Sequence, residues 1–508
     1  MPDFITLDAL VRNTAAARPG KTAIIDDASS LTYAEFDALV DRVAAALQAD
    51  GLQPQDVISI CAYSSIRYAA TFLGALRAGV AVAPLAPSST PADFAAMLKD
   101  GAPKILFMDR SAAAAMGDAV LGVEKRVALD DGDFGRPFSA WTAVAPARPA
   151  LVQIDPEWIF NIIYSSGTTG TPKGIVHTHG MRWRQYGQLD PLGYGPDAVT
   201  ILSTPLYSNT TLVAFNPTFA GGGTVVLMKK FDARGFLELS EKHRATHAML
   251  VPVQYRRIMA VPDFDGFDLS SYVMKFSTSA PFAAVLKADI LKRWPGGLTE
   301  YYGMTEGGGT CHLLAHEHPD KLHTVGKPAP DHEIRLLDDD GKEVAPGEIG
   351  EIFGHSPVIM RGYLNQPAKT AETFWHDATG KRFVRTGDVG RFDEDGFLTL
   401  MDRKKDMIIS GGFNIYPSDL EAVLTGHPEV LEAAVVAMPS EEWGETPVGF
   451  VVRRPGATVD AATLKVWLNE RIGKFQRVAE IVFVDTLPRS AIGKVLKREL
   501  RDWRLAAE

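Results

Sequence analysis

Residues 164–174 read YSSGTTGTPKG, a run of Ser, Thr and Gly that closes on a single lysine. Those residue types at that density are what a loop needs to grip a triphosphate. Glycines let backbone N–H groups turn toward phosphate oxygens, hydroxyls add donors, and Lys173 adds a full positive charge. Ser165, Ser166, Gly167, Thr168, Thr169 and Gly170 are the candidate phosphate ligands beside that lysine. The pattern is not the common P-loop, which places Gly directly before its Lys; Pro172 stands there and rules out a tight Gly-Lys-Thr turn into a helix. A flexible Ser/Gly linker is the competing reading, but linkers seldom hold several Thr, a Pro and a Lys in an apolar strand context.

Four further segments could join this loop. Residues 300–306 read EYYGMTE, in which Tyr302 can stack on a purine, Thr305 can bond a phosphate and Glu306 can hold Mg²⁺, a cation that favours oxygen ligands and bridges phosphates. Taken alone, the same letters suit a core aromatic plus a surface acid. Thr386-Gly387-Asp388 sets a carboxylate just after a strand and a glycine, where it can accept both hydroxyls of a ribose. Residues 402–417, DRKKDMIISGGFNIYP, offer the forked guanidinium of Arg403 for ribose or phosphate and a glycine pair, Gly411 and Gly412, that lets a ligand pass close to backbone. Near the end, PRSAIGKVLKREL carries Lys494 on a glycine turn.

These residues need a scaffold to bring them together. With 508 residues the chain is too long for a single core, and 46% hydrophobic with 22% charged residues suits a globular enzyme. The formal charge of -10 gives no net attraction to nucleic acid or anionic membrane. Cys61 and Cys311 stand far apart without metal-ligand spacing, which fits a reducing cytoplasm. The first twenty residues or so read as an amphipathic helix rather than a signal peptide, and the most apolar stretch, residues 68–87, is broken by Arg77, Gly79 and Pro84, against membrane insertion. Residues 39–52 carry helical periodicity. Residues 57–62, 104–108, 158–164, 199–204 and 223–228 read as strands alternating with helices, which predicts an α/β layered architecture with a mainly parallel sheet. From residue 333 the texture turns to hairpins, with Asp-Gly turns at Asp340-Gly341 and Asp395-Gly396, and residues 338–340 read as a solvated turn rather than a calcium loop. Beyond Arg403 a compact unit of about one hundred residues has its own strands and helices, so the expected domains are residues 1–404 and 405–508.

All five segments, in this order and at this spacing, resemble the adenylate-forming superfamily of acyl-CoA synthetases, carrier-loading adenylation domains and beetle luciferases, over nearly the whole chain. The resemblance implies a large N-terminal domain of layered α/β sheets with a small β-barrel-like subdomain, a small mobile α+β C-terminal domain, and an active site in the cleft between them. It implies that Thr168 and its loop cover the β- and γ-phosphates of ATP. Tyr302 would stack on adenine beside Ser279, Ala280 and Pro281, with Glu300, Tyr301, Gly303, Met304 and Thr305 as neighbours in the nucleotide site. Glu306 would place Mg²⁺, Asp388 and Arg403 would hold the ribose, and Lys494 would bridge the substrate carboxylate and the α-phosphate. Lys405 falls at the hinge. Rotation there would withdraw Lys494 and bring the CoA-binding segment Ser410, Gly411, Gly412 and Phe413 over the thiol tunnel.

For the acyl pocket the resemblance points to Tyr207, Ser208, Asn209, Thr278, Gly307 and Gly308. Many acyl-CoA synthetases carry His where this chain has Ser208, and amino-acid-activating domains carry Asp nearby; Ser208 supplies neither, which argues against an amino acid. The expected substrate is a monocarboxylate, aromatic or short to medium aliphatic, with coenzyme A as acceptor. A freestanding loader of a carrier protein and a malonate-type ligase using Arg256 and Arg257 are the alternatives; that arginine pair reads first as a solvated helix face. His177 and His179 in GIVHTHG would share one strand face, yet no third metal ligand is near, and Cys311-His312 are adjacent and so poorly placed as nucleophile and base. Acetylation of Lys494 by a lysine acetyltransferase, reversed by a deacetylase, would delete the cation that the first half-reaction requires.

Overall fold

The helical periodicity near residue 39 belongs to a longer helix, Tyr33–Ala49, started by a capping box in which Thr32 and Glu35 satisfy each other's backbone N–H. The computed structural model describes residues 3–117, 122–165, 172–187, 192–410, 413–490 and 494–506. Contacts divide the chain into two compact units, one of residues 1–322, 328–333 and 354–384, the other of residues 323–327, 334–353 and 385–508. The division falls inside the strand Arg382–Phe392, upstream of the boundary read at Lys404.

The first unit is built on two sheets. In one, Val199–Leu202, His247–Leu250, Met274–Ser277 and Gly297–Tyr302 run parallel, and Cys311–Leu314 continues the row antiparallel, beside Lys327–Pro328 at the edge. The other has eight strands in the order Gly362–Tyr363, Lys173–Thr178, Ile159–Ser165, Ala81–Leu85, Val57–Cys61, Ile105–Met108, Lys125–Ala128 and Arg136–Pro137. Near-continuous Val, Ile and Ala in these strands follow from burial on both faces, as parallel sheets covered by helices require. The strand expectations hold to within two residues at their ends. One feature differs: Ile159–Ser165 and Lys173–Thr178 pair antiparallel, with Ser165 opposite Lys173. His179 also leaves the strand. Thr178 caps the helix His179–Tyr186 by accepting from the Met181 N–H, so the two histidines do not share a strand face.

In the second unit the Asp-Gly pairs are turns, with Gly341 at φ +76° and Gly396 at φ +80°. Asp338 accepts the N–H groups of Asp340 and Lys342, the work of a turn aspartate. The C-terminal sheet sets Phe413–Ile415, Ile408–Ser410, Gly444–Arg453 and Val430–Ser440 side by side, with Glu480–Phe483 parallel to the third of these. Helices Pro417–Thr425, Ala461–Asn469 and Lys497–Ala506 accompany it.

Candidate active site

Lys173, the candidate phosphate lysine, is held by strand geometry. Lys173 opens a strand that pairs on one side with Ile159–Ser165 and on the other with Gly362–Tyr363, where Tyr363 lies opposite Ile175. Its ammonium stands 4.9 Å from the centre of the Tyr363 ring. The Tyr363 hydroxyl in turn donates to Oε1 of Glu306 at 2.9 Å, and the Met360 N–H donates to the Glu306 carbonyl at 2.9 Å. The Lys173 ammonium and the Glu306 carboxylate are thus tied to one tyrosine. Burial and the Glu306 charge push the Tyr363 phenol well above its ordinary value, so it stays a donor. Ser166, Gly167, Thr168, Thr169 and Gly170 lie outside the described residues.

The remaining nucleotide-site candidates of this unit cluster at the carboxyl ends of parallel strands, the edge at which α/β sheets bind ligands. Ser277 pairs with Glu300, so the segments that follow, Thr278 to Pro281 and Tyr301 to Glu306, leave the sheet side by side. Ser279 adopts φ +78°, a left-handed conformation that costs a non-glycine residue energy, and its Oγ lies 2.7 Å from Oγ1 of Thr210. Tyr302 is half-buried; Tyr301 stacks on Phe276 with centroids 5.5 Å apart and meets the His312 ring edge-on. Gly303 is exposed, and Met304 and Thr305 are half-buried. Glu300 is different. Its carboxylate is buried in an ion pair with the equally buried Lys287, and burial pushes that carboxyl upward against the pull of the lysine.

Two of the candidate acyl residues form the start of the helix Asn209–Ala220. Ser208 caps it by accepting from the Thr210 N–H, and Asn209 is its first residue. Tyr207 is hydrogen-bonded by Ser88, and burial pushes its phenol up to about 12. Gly307 and Gly308 are buried and bare by necessity: a Cβ on Gly307 would sit 2.0 Å from the Val358 carbonyl oxygen, and one on Gly308 2.5 Å from Cβ of Val384. Cys311 is fully buried, which raises its thiol and removes it from nucleophilic use.

The second unit gathers the other charged candidates. Asp388 and Arg403 are cross-strand partners, with Oδ1 and Nε 3.1 Å apart. Burial, then the repulsion of Arg403, pulls the Lys494 ammonium down to about 8, with Asp388 opposing the shift. The Ser490 N–H donates to the Lys494 carbonyl, and the Lys494 N–H donates to Oγ of Ser490. Lys405 is exposed, while its neighbour Lys404 is tied to Asp339 at 2.7 Å and Glu351 at 3.0 Å. Ser410 is half-buried and Phe413 exposed; Gly411 and Gly412 lie outside the described residues.

Sequence reasoning did not single out Tyr363 or Arg182. A lone tyrosine in RGYLNQP carries no local chemical signal, and its value comes from strand pairing with the Lys173 segment. Among the described residues no three His, Cys, Asp or Glu side chains could cage a metal, and no helix is long and apolar enough to cross a membrane.

A model of the AMP-binding enzyme family matches residues 11–364, and one of the AMP-binding enzyme C-terminal domain matches residues 419–494. An indoleacetate–CoA ligase of Aromatoleum aromaticum is 34% identical over 507 residues, with 96% of each chain covered. A fatty acid–[acyl-carrier-protein] ligase of Streptomyces coeruleorubidus is 31% identical over 509 residues, 98% of this chain and 96% of that one. Among solved structures, ATP-bound MatB from Rhodopseudomonas palustris is similar with a TM-score of 0.87 at 31% identity, covering 98% of this chain and 99% of that one.

Proposed function

The chain belongs to the AMP-binding enzyme family, in the CoA-ligase branch of the adenylate-forming superfamily, and we propose that it joins a monocarboxylic acid to coenzyme A at the expense of ATP. The observation that carries the reading is the Lys173–Tyr363–Glu306 arrangement, which sets a cation for phosphate and a carboxylate for a metal on one support.

A carboxylate is a poor electrophile because its leaving group would be oxide. Attack of its oxygen on the α-phosphorus of ATP forms a new P–O bond and breaks the bond to pyrophosphate, which leaves with the electron pair. Charge grows on the phosphate oxygens, and Lys173 and Lys494 are the cations proposed to meet it. Tyr302 takes adenine, and the Asp388–Arg403 pair takes the ribose. In the second step a thiolate attacks the acyl carbon and AMP departs, with Ser410 and Phe413 near the incoming thiol and Lys405 as the pivot between the steps. Glu306 fits Mg²⁺: it is a hard oxygen donor, half-buried, and held by one neutral hydroxyl. When bound, that ion would neutralise the phosphates.

An aromatic acid is the favoured substrate. A relative 34% identical is named an indoleacetate–CoA ligase, which supports an aryl acid. Arg257 is exposed over the Phe231 ring, 5.2 Å from its centre, which supports a solvated helix face rather than a second-carboxylate site. The second reading, a carrier-protein loader, draws on the relative named a fatty acid–[acyl-carrier-protein] ligase. AMP release across arylacetates, cinnamates, benzoates, fatty acids and malonate, with and without CoA, separates them. CoA-dependent turnover with aryl acids is expected; acid-dependent pyrophosphate exchange without CoA turnover would favour the loader.

A further inference from the structure

Arg182 is fully buried, and among the described residues its guanidinium meets no carboxylate. Nε donates to Oδ1 of Asn161 at 3.1 Å, Nη1 to Oε1 of Gln185 at 2.8 Å, and Nη2 to Nδ1 of His177 at 2.7 Å. A guanidinium can only donate. Nδ1 of His177 must therefore accept, which puts the imidazole proton on Nε2, and Nε2 lies 2.8 Å from the Thr305 carbonyl oxygen. Burial, reinforced by the Arg182 charge, favours the neutral ring.

We propose that Arg182 and His177 are positioning residues: the arginine selects the His177 tautomer, and the imidazole N–H then holds the Thr305–Glu306 peptide against the strand that carries Lys173. A buried cation without a counter-charge is costly, and an apolar side chain could fill the same volume at less expense. What the arginine supplies, and an apolar residue could not, is a donor that fixes which ring nitrogen faces Thr305. Because His177 and Lys173 share the strand Lys173–Thr178, the relay couples the phosphate-seeking cation to the Glu306 loop. The inference rests on the reading of Glu306 as the metal-facing carboxylate.

The test uses the full-length protein, ¹⁵N-histidine labelling, calorimetric ATP binding with and without Mg²⁺, and thermal unfolding. The unliganded wild-type protein should show the Nε2–H tautomer for His177; an Nδ1–H tautomer would overturn the proposal even if every variant misfolded. His177→Leu should weaken Mg²⁺-dependent ATP binding about tenfold, the scale of one lost hydrogen bond in a buried setting, with KM for the acid changed less than twofold. His177→Gln, whose amide can place an N–H near the Nε2 position, should recover most of the loss. Leu and Gln variants that bind MgATP equally would reduce His177 to packing. Glu306→Gln separates the premises: if it leaves Mg²⁺ dependence intact the metal reading fails, and if it abolishes that dependence while His177→Leu does not, only the relay fails.

Discussion

The Tyr363 hydroxyl donates to Oε1 of Glu306 at 2.9 Å, across fifty-seven residues of sequence. The bond aims a carboxylate that would otherwise rotate freely, and the same ring carries the Lys173 ammonium on its face. Tyr363→Phe keeps the ring and loses the bond. Hydrogen bonds to charged groups contribute about 1.5–3 kcal/mol, so KM for MgATP should rise roughly tenfold or more while KM for the acid stays within twofold. Steady-state kinetics at saturating acid checks this.

Lys494 supplies a pH dependence. A lysine acts as a cation only while protonated, and this one is pulled down to about 8 by burial and Arg403. Acid-dependent pyrophosphate exchange should therefore fall as pH rises through about 8, while thioester formation from supplied acyl-adenylate should not follow it. Lys494→Gln should abolish the exchange at every pH. Exchange at the wild-type rate in that variant would remove Lys494 from the first step.

The buried Lys287–Glu300 pair predicts an asymmetry in stability. Lys287→Met leaves a carboxylate inside the protein without its partner, at a cost of about 3–5 kcal/mol. Replacing both, with Lys287→Met and Glu300→Leu, should restore most of it, since two apolar groups need no mutual compensation. Thermal unfolding of the two single variants and the double variant gives the comparison.

Two glycines should respond very differently to alanine. A Cβ on Gly354 would stand 1.6 Å from the Gly308 carbonyl oxygen, so Gly354→Ala must displace the glycine run of residues 307–309. Its cost should exceed about 2–3 kcal/mol, with lost activity. Gly341 has φ +76° and nothing within 4 Å of the same added atom. Gly341→Ala should cost only about 1–2 kcal/mol of left-handed strain, with activity unchanged. Denaturant midpoints read both.

Local chemistry made part of this molecule legible in one dimension. The alternation of apolar strands with helices announced the α/β layers, and Asp-Gly pairs announced turns because positive φ is a property of single residues. The YSSGTTGTPKG, EYYGMTE and Lys494 segments stood out as candidates because each packs several ligand-type side chains into a short stretch. Other features had no local trace. Glu300 reads like its neighbours in a ligand-rich run, but the fold buries it against Lys287. His177 and His179 read as one strand face until a Thr178 cap began a helix between them. Tyr363 and Thr210 acquired partners only through pairings that bring distant segments together, such as Tyr363 with Ile175. Residue type and short-range spacing are written in the chain; the direction and partners of each side chain are decided by which strands pair and in what register.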